Sequence, residues 1–211
     1  MRTHTIIGVA QTLALTFAST GAALAQGYEP APKPDEEYIE FKLDRSPGIV
    51  RAGCLPYATG KVRVTSQGSV EVMDVELEGL PANIELDAFV IQVPNAPFGM
   101  SWYQGDIESD DYGHAKARFI GRFNIETFII APGAAPAPQV HHEPTADAAE
   151  NPATAPVHTY HIGIWFNSAY DAKAAGCPDI VTPFNGEHNA GVQLFNTASY
   201  PDQEGPLSLL K

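Results

Sequence analysis

The stretch HAKARFIGRFNIETFII, residues 114–130, decides the fold class. Its odd positions read Ala115, Ala117, Phe119, Gly121, Phe123, Ile125, Thr127 and Ile129, a face fit for burial. Its even positions begin with His114, Lys116 and Arg118 and continue with Arg122, Asn124 and Glu126, a face fit for water. A backbone whose side chains alternate with period two separates the residues in this way, whereas a helical period would mix them. The stretch reads as a half-buried β-strand.

Working outward, KVRVTS (61–66) alternates in the same manner. In SVEVMDVELEGLP (69–81), Val70 and Val72 fall on even positions but Val75 and Leu77 on odd ones. Such a phase change predicts a β-bulge or bend at Met73-Asp74. ELDAFVIQV (85–93) follows the turn Gly79-Leu80-Pro81-Ala82-Asn83, and HTYHIGIWF (158–166) and AGVQLF (190–195) supply later strands. One short helix is expected at 169–175, with Ser168 and Asp171 as a capping pair and Gly176 placed to stop it. Many short strands and almost no helix predict an all-β chain, a single antiparallel β-sandwich of Ig-like or Greek-key type.

The first 25 residues carry a basic start (Arg2, His4), an apolar run over 6–18 and the exit Ala23-Leu24-Ala25. This is the pattern of a secretory signal peptide cleaved after Ala25, and the run is too short for a bilayer span. The expected location is secreted or periplasmic, without membrane insertion. Cleavage would leave 211 − 25 = 186 residues, with 11 basic and 25 acidic side chains and a net charge of 11 − 25 = −14. An acidic balance of that size argues against nucleic acid as a partner, which requires basic surface.

Cys54 and Cys177 are the two cysteines. Export places them in an oxidising compartment, so one disulfide is expected. Residues 26–35 read as a Pro-rich tether. The stretch 131–157 is more than half alanine and proline and has no apolar periodicity, so it reads as a long disordered internal loop. The cysteines flank this loop, and bonding them would tie both sides into one domain spanning 36–211.

VELEGLPANIELDAFVIQVPNAPFG (75–99), followed by SWYQGDIESDDYG (101–113), resembles exported bacterial β-sandwich proteins of uncharacterised function. The strand–Gly-Leu-Pro–strand step is also similar to that of copper/zinc superoxide dismutase-like domains. That family's metal site begins with a His-x-His on a strand, whereas Asp87-Ala88-Phe89-Val90 occupies the strand after the turn here. The resemblance therefore implies a fold and carries over no dismutase activity.

Two segments carry candidate site residues. In GDIESDDYG (105–113), Asp106, Glu108 and Asp110 are spaced by two, so an extended backbone would point all three one way, a possible calcium ligand set. The EF-hand pattern fails, since Asp111 and Ala117 replace its glycine and glutamate. The competing expectation is a hairpin turn whose acids face Lys116, Arg118 and Arg122 across the strands. Trp102 and Tyr103 precede these acids and offer aromatic surface for stacking on a sugar.

The second segment, TPFNGEHNAGVQLF (182–195), holds Asn185, Glu187, His188 and Asn189 between turn-forming residues. It reads as a well-bonded loop able to form one wall of a site. His158 and His161 lie three apart on a strand, so they face opposite ways and read as structural. His141-His142-Glu143 falls in the Ala/Pro-rich loop.

The leading expectation is a non-enzymatic exported protein that binds a small molecule, a glycan or an envelope protein. Its site would join Trp102, Tyr103, Asp106, Glu108 and Asp110 to Asn185, Glu187 and His188, with calcium as the possible cofactor. That requires the two segments to meet in the fold. A second expectation is an envelope polysaccharide hydrolase with Glu187 or His188 as base and Asp106 or Glu108 as acid, which needs a buried carboxyl of raised pKa. A third is a structural envelope protein.

Overall fold

The computed structural model describes residues 37–123, 158–182 and 184–210. The expected signal peptide (1–25), the expected tether (26–35), residues 124–130, and the expected loop at 131–157 with His141-His142-Glu143 lie outside the described residues.

Among the described residues the regular structure is almost entirely antiparallel β. The strands are β1 (Tyr38–Arg45), β2 (Thr59–Ser66), β3 (Glu71–Glu78), β4 (Glu85–Ile91), β5 (Ser101–Glu108), β6 (Ala115–Gly121), β7 (His161–Phe166) and β8 (Gln193–Asn196). Two short helices, α1 (Pro47–Ala52) and α2 (Ala169–Ala174), accompany them. The strand order is β5-β4-β7-β8-β1-β2-β3-β6. β1 belongs to both walls of the sandwich: Tyr38 to Leu43 pair with β2, and Asp44 and Arg45 with Asn196 and Phe195 of β8. β5 and β6, at the two ends of this order, approach each other through their hairpin and a bridge between Ser109 and Ala115. The eight strands thus make a nearly closed barrel, which leaves few open edges.

Alternation explains the interior. The odd positions of β6 point inward, with Ala115 and Phe123 buried, while Lys116 and Arg118 are exposed. Val62, Met73, Leu86, Ile107, Ile164 and Phe195 from six other strands complete the core. α2 begins as its sequence requires: Ser168 Oγ accepts from the Asp171 amide at 3.2 Å. The sequence also encodes α1, which was not anticipated. Ser46 accepts from the Ile49 amide at 3.3 Å, Pro47 starts the helix and Gly53 ends it. Cys54, just beyond, is bonded to Cys177, just beyond α2, with the Cα atoms 5.3 Å apart.

Two local expectations change. No bulge interrupts β3, whose residues 71–78 pair without a break with β2 and, from Glu71 to Leu77, with β6. The inward series is Glu71, Met73, Val75 and Leu77, and the charge at its first position disguised the phase. Glu71 is 2 % exposed because its carboxylate accepts from the Phe123 amide and lies 3.7 Å from Arg122. The basic residues of β6 also find other partners than those expected. Arg118 pairs with Asp74 at 2.6 Å and Lys116 with Glu76 at 3.2 Å, because β6 lies beside β3 rather than beside the acids of β5.

Register shifts occur elsewhere. Ala88 pairs with Gly105 and Phe89 with Tyr103, which leaves Gln104 as an extra residue in β5. A second shift lies at Ile164/Trp165 against β8.

β4 and β7 are buried on both faces. Inward residues meet the main core, while Phe89, Ile91 and Trp165 on the outer face form a second apolar cluster with Ala190, Phe98 and Phe184. The loop after Cys177 covers that face, and Phe184 stacks on Trp165 with ring centroids 4.0 Å apart.

Candidate functional site: an acidic cleft

The two segments singled out in the sequence meet. A cleft of about 660 Å³ is lined by Tyr103, Asp106 and Glu108 from β5 and by Asn185, Gly186, Glu187 and Asn189 from the covering loop. Glu85, Asp87 and Phe89 of β4 form its floor.

Register explains why so many carboxylates converge. In the antiparallel pair, Glu85 stands opposite Glu108 and Asp87 opposite Asp106. Residues two apart share a face, so all four acids project to one side. Like charges directly opposite one another destabilise a sheet. On the opposite wall, Asp74 faces Arg118 and Glu76 faces Lys116. Two successive acid–acid pairs, with Glu187 added from the loop and no basic residue in the lining, concentrate negative charge in the cleft.

The bulge at Gln104 sets the aromatic wall. Tyr103 and Asp106 are three apart and would face opposite ways in a regular strand, but the extra residue returns both to one face. Tyr103 donates its hydroxyl proton to Asp106, and burial, followed by Asp106, raises the phenol's pKa. Gly105 makes the bulge possible: a Cβ there would come within 2.8 Å of Phe119 Cε1 of β6.

Asn185 is the hinge pin of the opposite wall and is 9 % exposed. Its Oδ1 accepts from the amides of Asn189 at 2.9 Å and Ala190 at 3.2 Å. Its Nδ2 lies 2.9 Å from both the Asn167 carbonyl and Asn189 Oδ1, and 3.4 Å from Asp87 Oδ2. Asn167 in turn donates to Glu85 at 3.1 Å, so an amide chain joins β4, the end of β7 and the loop. Thr182 Oγ1 donates to the Gly191 carbonyl at 2.5 Å and closes the loop on itself.

Asp87 is the residue that sequence reasoning missed. It lines the cleft yet is only 2 % exposed. Burial pushes its carboxyl up to about 6; Asn185 pulls it down, and Asp106 and Glu187 push it further up. The available signal was an acid at the centre of the otherwise apolar run LDAFVI.

Three expected site residues stand apart. Trp102 is exposed but lies on the other side of β5 from Tyr103 and does not line the cleft. His188 is exposed with φ 56°, its amide donates to the Asn185 carbonyl at 3.0 Å, and its ring does not line the cleft. Asp110 follows β5, and its Oδ1 accepts from the Tyr112 and His114 amides, both at 2.9 Å. Those bonds, led by His114, hold its carboxyl below the usual range. Asp110 is thus turned into its own turn, and Asp106, Glu108 and Asp110 do not point one way. Among the described residues no three acidic, histidine or cysteine side chains converge as a metal group.

The two histidines do not share a strand, since β7 begins at His161, so alternation is not what parts them. His161 is fully buried, with Nδ1 2.8 Å from Thr197 Oγ1 and Nε2 3.1 Å from the Pro201 and Asp202 carbonyls. Burial lowers its pKa, so the neutral ring serves as a structural bond. His158 lies before β7 and stacks on Tyr160.

The fold and cleft define an all-β protein with an acidic recess on the outer face of its sheet. No protein-family model matches the chain, and no curated protein matches it.

Proposed function

We propose that this protein is an exported binding module whose cleft takes an organic cation, the ammonium or guanidinium group of an amine or of a basic peptide. The observation that carries this reading is the double acid–acid register, Glu85–Glu108 and Asp87–Asp106, facing Glu187 with no basic residue in the lining. A cation between the strands would turn two repulsive pairs into ion pairs. Tyr103, 47 % exposed, adds an aromatic face for cation–π contact. A volume of about 660 Å³ suits an organic ligand. The amino-terminal 25 residues, with their signal-peptide pattern, support export.

Calorimetric titration with 1,4-diaminobutane and with a Lys-Lys dipeptide tests this. Binding is expected and should weaken at least tenfold in Asp106→Asn and in Glu187→Gln. An absence of heat with both probes, or equal affinity in both variants, overturns the reading.

A second reading, a hydrolase acting on envelope polysaccharide, is favoured by one observation: a buried carboxyl raised to about 6 beside an exposed one gives two carboxyls in unequal environments, as acid–base catalysis uses. The acid role would then pass from Asp106 or Glu108 to Asp87, with Asp106 or Glu187 as base. Release of reducing ends from polysaccharide, abolished in Asp87→Asn, would establish it in place of simple binding.

A further inference from the structure

The carboxylates of the cleft differ in depth. Glu187, Asp106 and Glu108 are exposed, whereas Asp87 lies beneath them at 2 % exposure. The groups that face Asp87 can be named element by element. β5 presents Asp106 directly opposite, with Tyr103 and Glu108 alongside, and β4 itself contributes Glu85. β7 places Trp165 in register with it and no titratable group. The covering loop adds Asn185 and Glu187. Among the described residues, the N–H donor that reaches the side chain is Asn185 Nδ2, and at 3.4 Å that bond is long. A carboxylate this deep and this poorly served needs either a proton or a cation, because an unpaired buried charge is strongly disfavoured.

We infer, on the cation-binding reading above, that the cleft is a proton-exchange site: in acidic solution an organic cation enters and displaces the proton that the empty site holds on Asp87. The step balances simply. The O–H bond of the Asp87 carboxyl breaks, its electron pair stays on the oxygen as carboxylate, the proton passes to solvent, and the ligand's ammonium takes its place between Asp87, Asp106 and Glu187. The ligand keeps all its own protons.

The geometry supports exchange over simple addition. Asp106 is exposed and already accepts a hydrogen bond from the Tyr103 hydroxyl, so it is better served than the buried Asp87. Burial and the neighbouring Asp106 and Glu187 disfavour the charged form of Asp87, and positive charge arriving between them would favour it. Capture therefore depends on pH. With the empty-state carboxyl raised to about 6, affinity should climb by up to tenfold per pH unit below that value and level off above it. Acidification would eject the ligand.

The test is calorimetry of 1,4-diaminobutane with the whole chain in two buffers of different ionisation enthalpy. The amine is fully protonated throughout, so any proton exchanged belongs to the protein. The expected result is release approaching one proton per ligand well below the Asp87 titration and none well above it. In Asp87→Asn, release at low pH should vanish and the pH profile should flatten. Binding without proton release would overturn the exchange and leave the cation site standing. Release that persists in Asp87→Asn would place the proton elsewhere and overturn it too. No binding at any pH would remove the cation site itself, and the exchange with it. The two-buffer measurement on the unaltered chain decides the matter even where Asp87→Asn folds poorly.

Discussion

Asp87 of β4 and Asp106 of β5 stand directly opposite each other, the first buried at 2 % and the second exposed and bonded to the Tyr103 hydroxyl. One side of this pair faces the protein and the other faces water, so the pair is chemically unequal although the residues are identical. Its consequences reach the stability of the empty protein.

The first is a pH dependence of unusual sign for an aspartate. The folded carboxyl sits at about 6, above its ordinary 3.8, so between those values the folded state holds a proton that the unfolded chain has lost. Stability from this group is complete at low pH and is lost as pH rises through about 6. Asp87→Asn should therefore gain on the native protein as pH rises, by up to about 3 kcal/mol at neutrality. Denaturant titrations of the two proteins across this range check it. The difference removes the opposite contribution of His161, whose lowered pKa costs stability as pH falls. A difference that does not change with pH would mean that Asp87 is ionised in the empty cleft.

Asn185 holds the covering loop by its side chain. Asn185→Ala removes acceptance from two amides and donation to the Asn167 carbonyl. A loss of about 2–3 kcal/mol is expected. Hydrogen exchange should accelerate at Asn189 and Ala190 while the amides of β2 and β3 keep their protection relative to the global stability. Unchanged exchange at those two amides would show that the Phe184–Trp165 stack and the Thr182 bonds hold the loop without Asn185.

Gly113 closes the β5–β6 hairpin at φ 78°, and a Cβ there would lie 1.9 Å from the Leu80 carbonyl oxygen. That oxygen belongs to the Gly-Leu-Pro turn, which Ser109 also fastens by donating to the Pro81 carbonyl at 2.7 Å. Gly113→Ala must displace backbone, and a cost of about 2–4 kcal/mol is expected. Gly68, also at positive φ but with nothing near its Cβ position, should cost about 1 kcal/mol when changed to Ala. Equal melting temperatures for the two variants would contradict the close approach at Leu80.

The Cys54–Cys177 bond spans 123 residues of sequence. Replacing both by serine should cost about 5 kcal/mol in the chain-entropy view, or about 10–20 °C in melting temperature. Thermal melts of the serine variant against the oxidised protein measure this directly.

Much of the frame was legible. The alternation of 114–123 and the capping residues of α2 follow from short-range rules that the chain obeys, and the pairing of the cysteines follows from there being two of them. The residues of 103–108 and 185–187 were singled out in the sequence, but their meeting was a requirement that only the fold could meet. Other features were hidden by charge at inward positions. Glu71 concealed the phase of β3 and Asp87 concealed the floor of the cleft, since a pattern reader sends acids outward while the structure serves one with a backbone amide and leaves the other in the cleft. The partners of Lys116 and Arg118 were equally out of reach, because strand order is set by packing and not by adjacency in sequence.

The sequence by itself determined the β class, the period of each strand and the residues available to a site, because side-chain alternation and turn chemistry are local. Only the tertiary structure decided which acids would confront one another. Register across β4 and β5, and the extra residue at Gln104, are fixed by how the sheet closes around its core. That closure sets Asp87 beneath Asp106 and lays the loop carrying Asn185 and Glu187 above them.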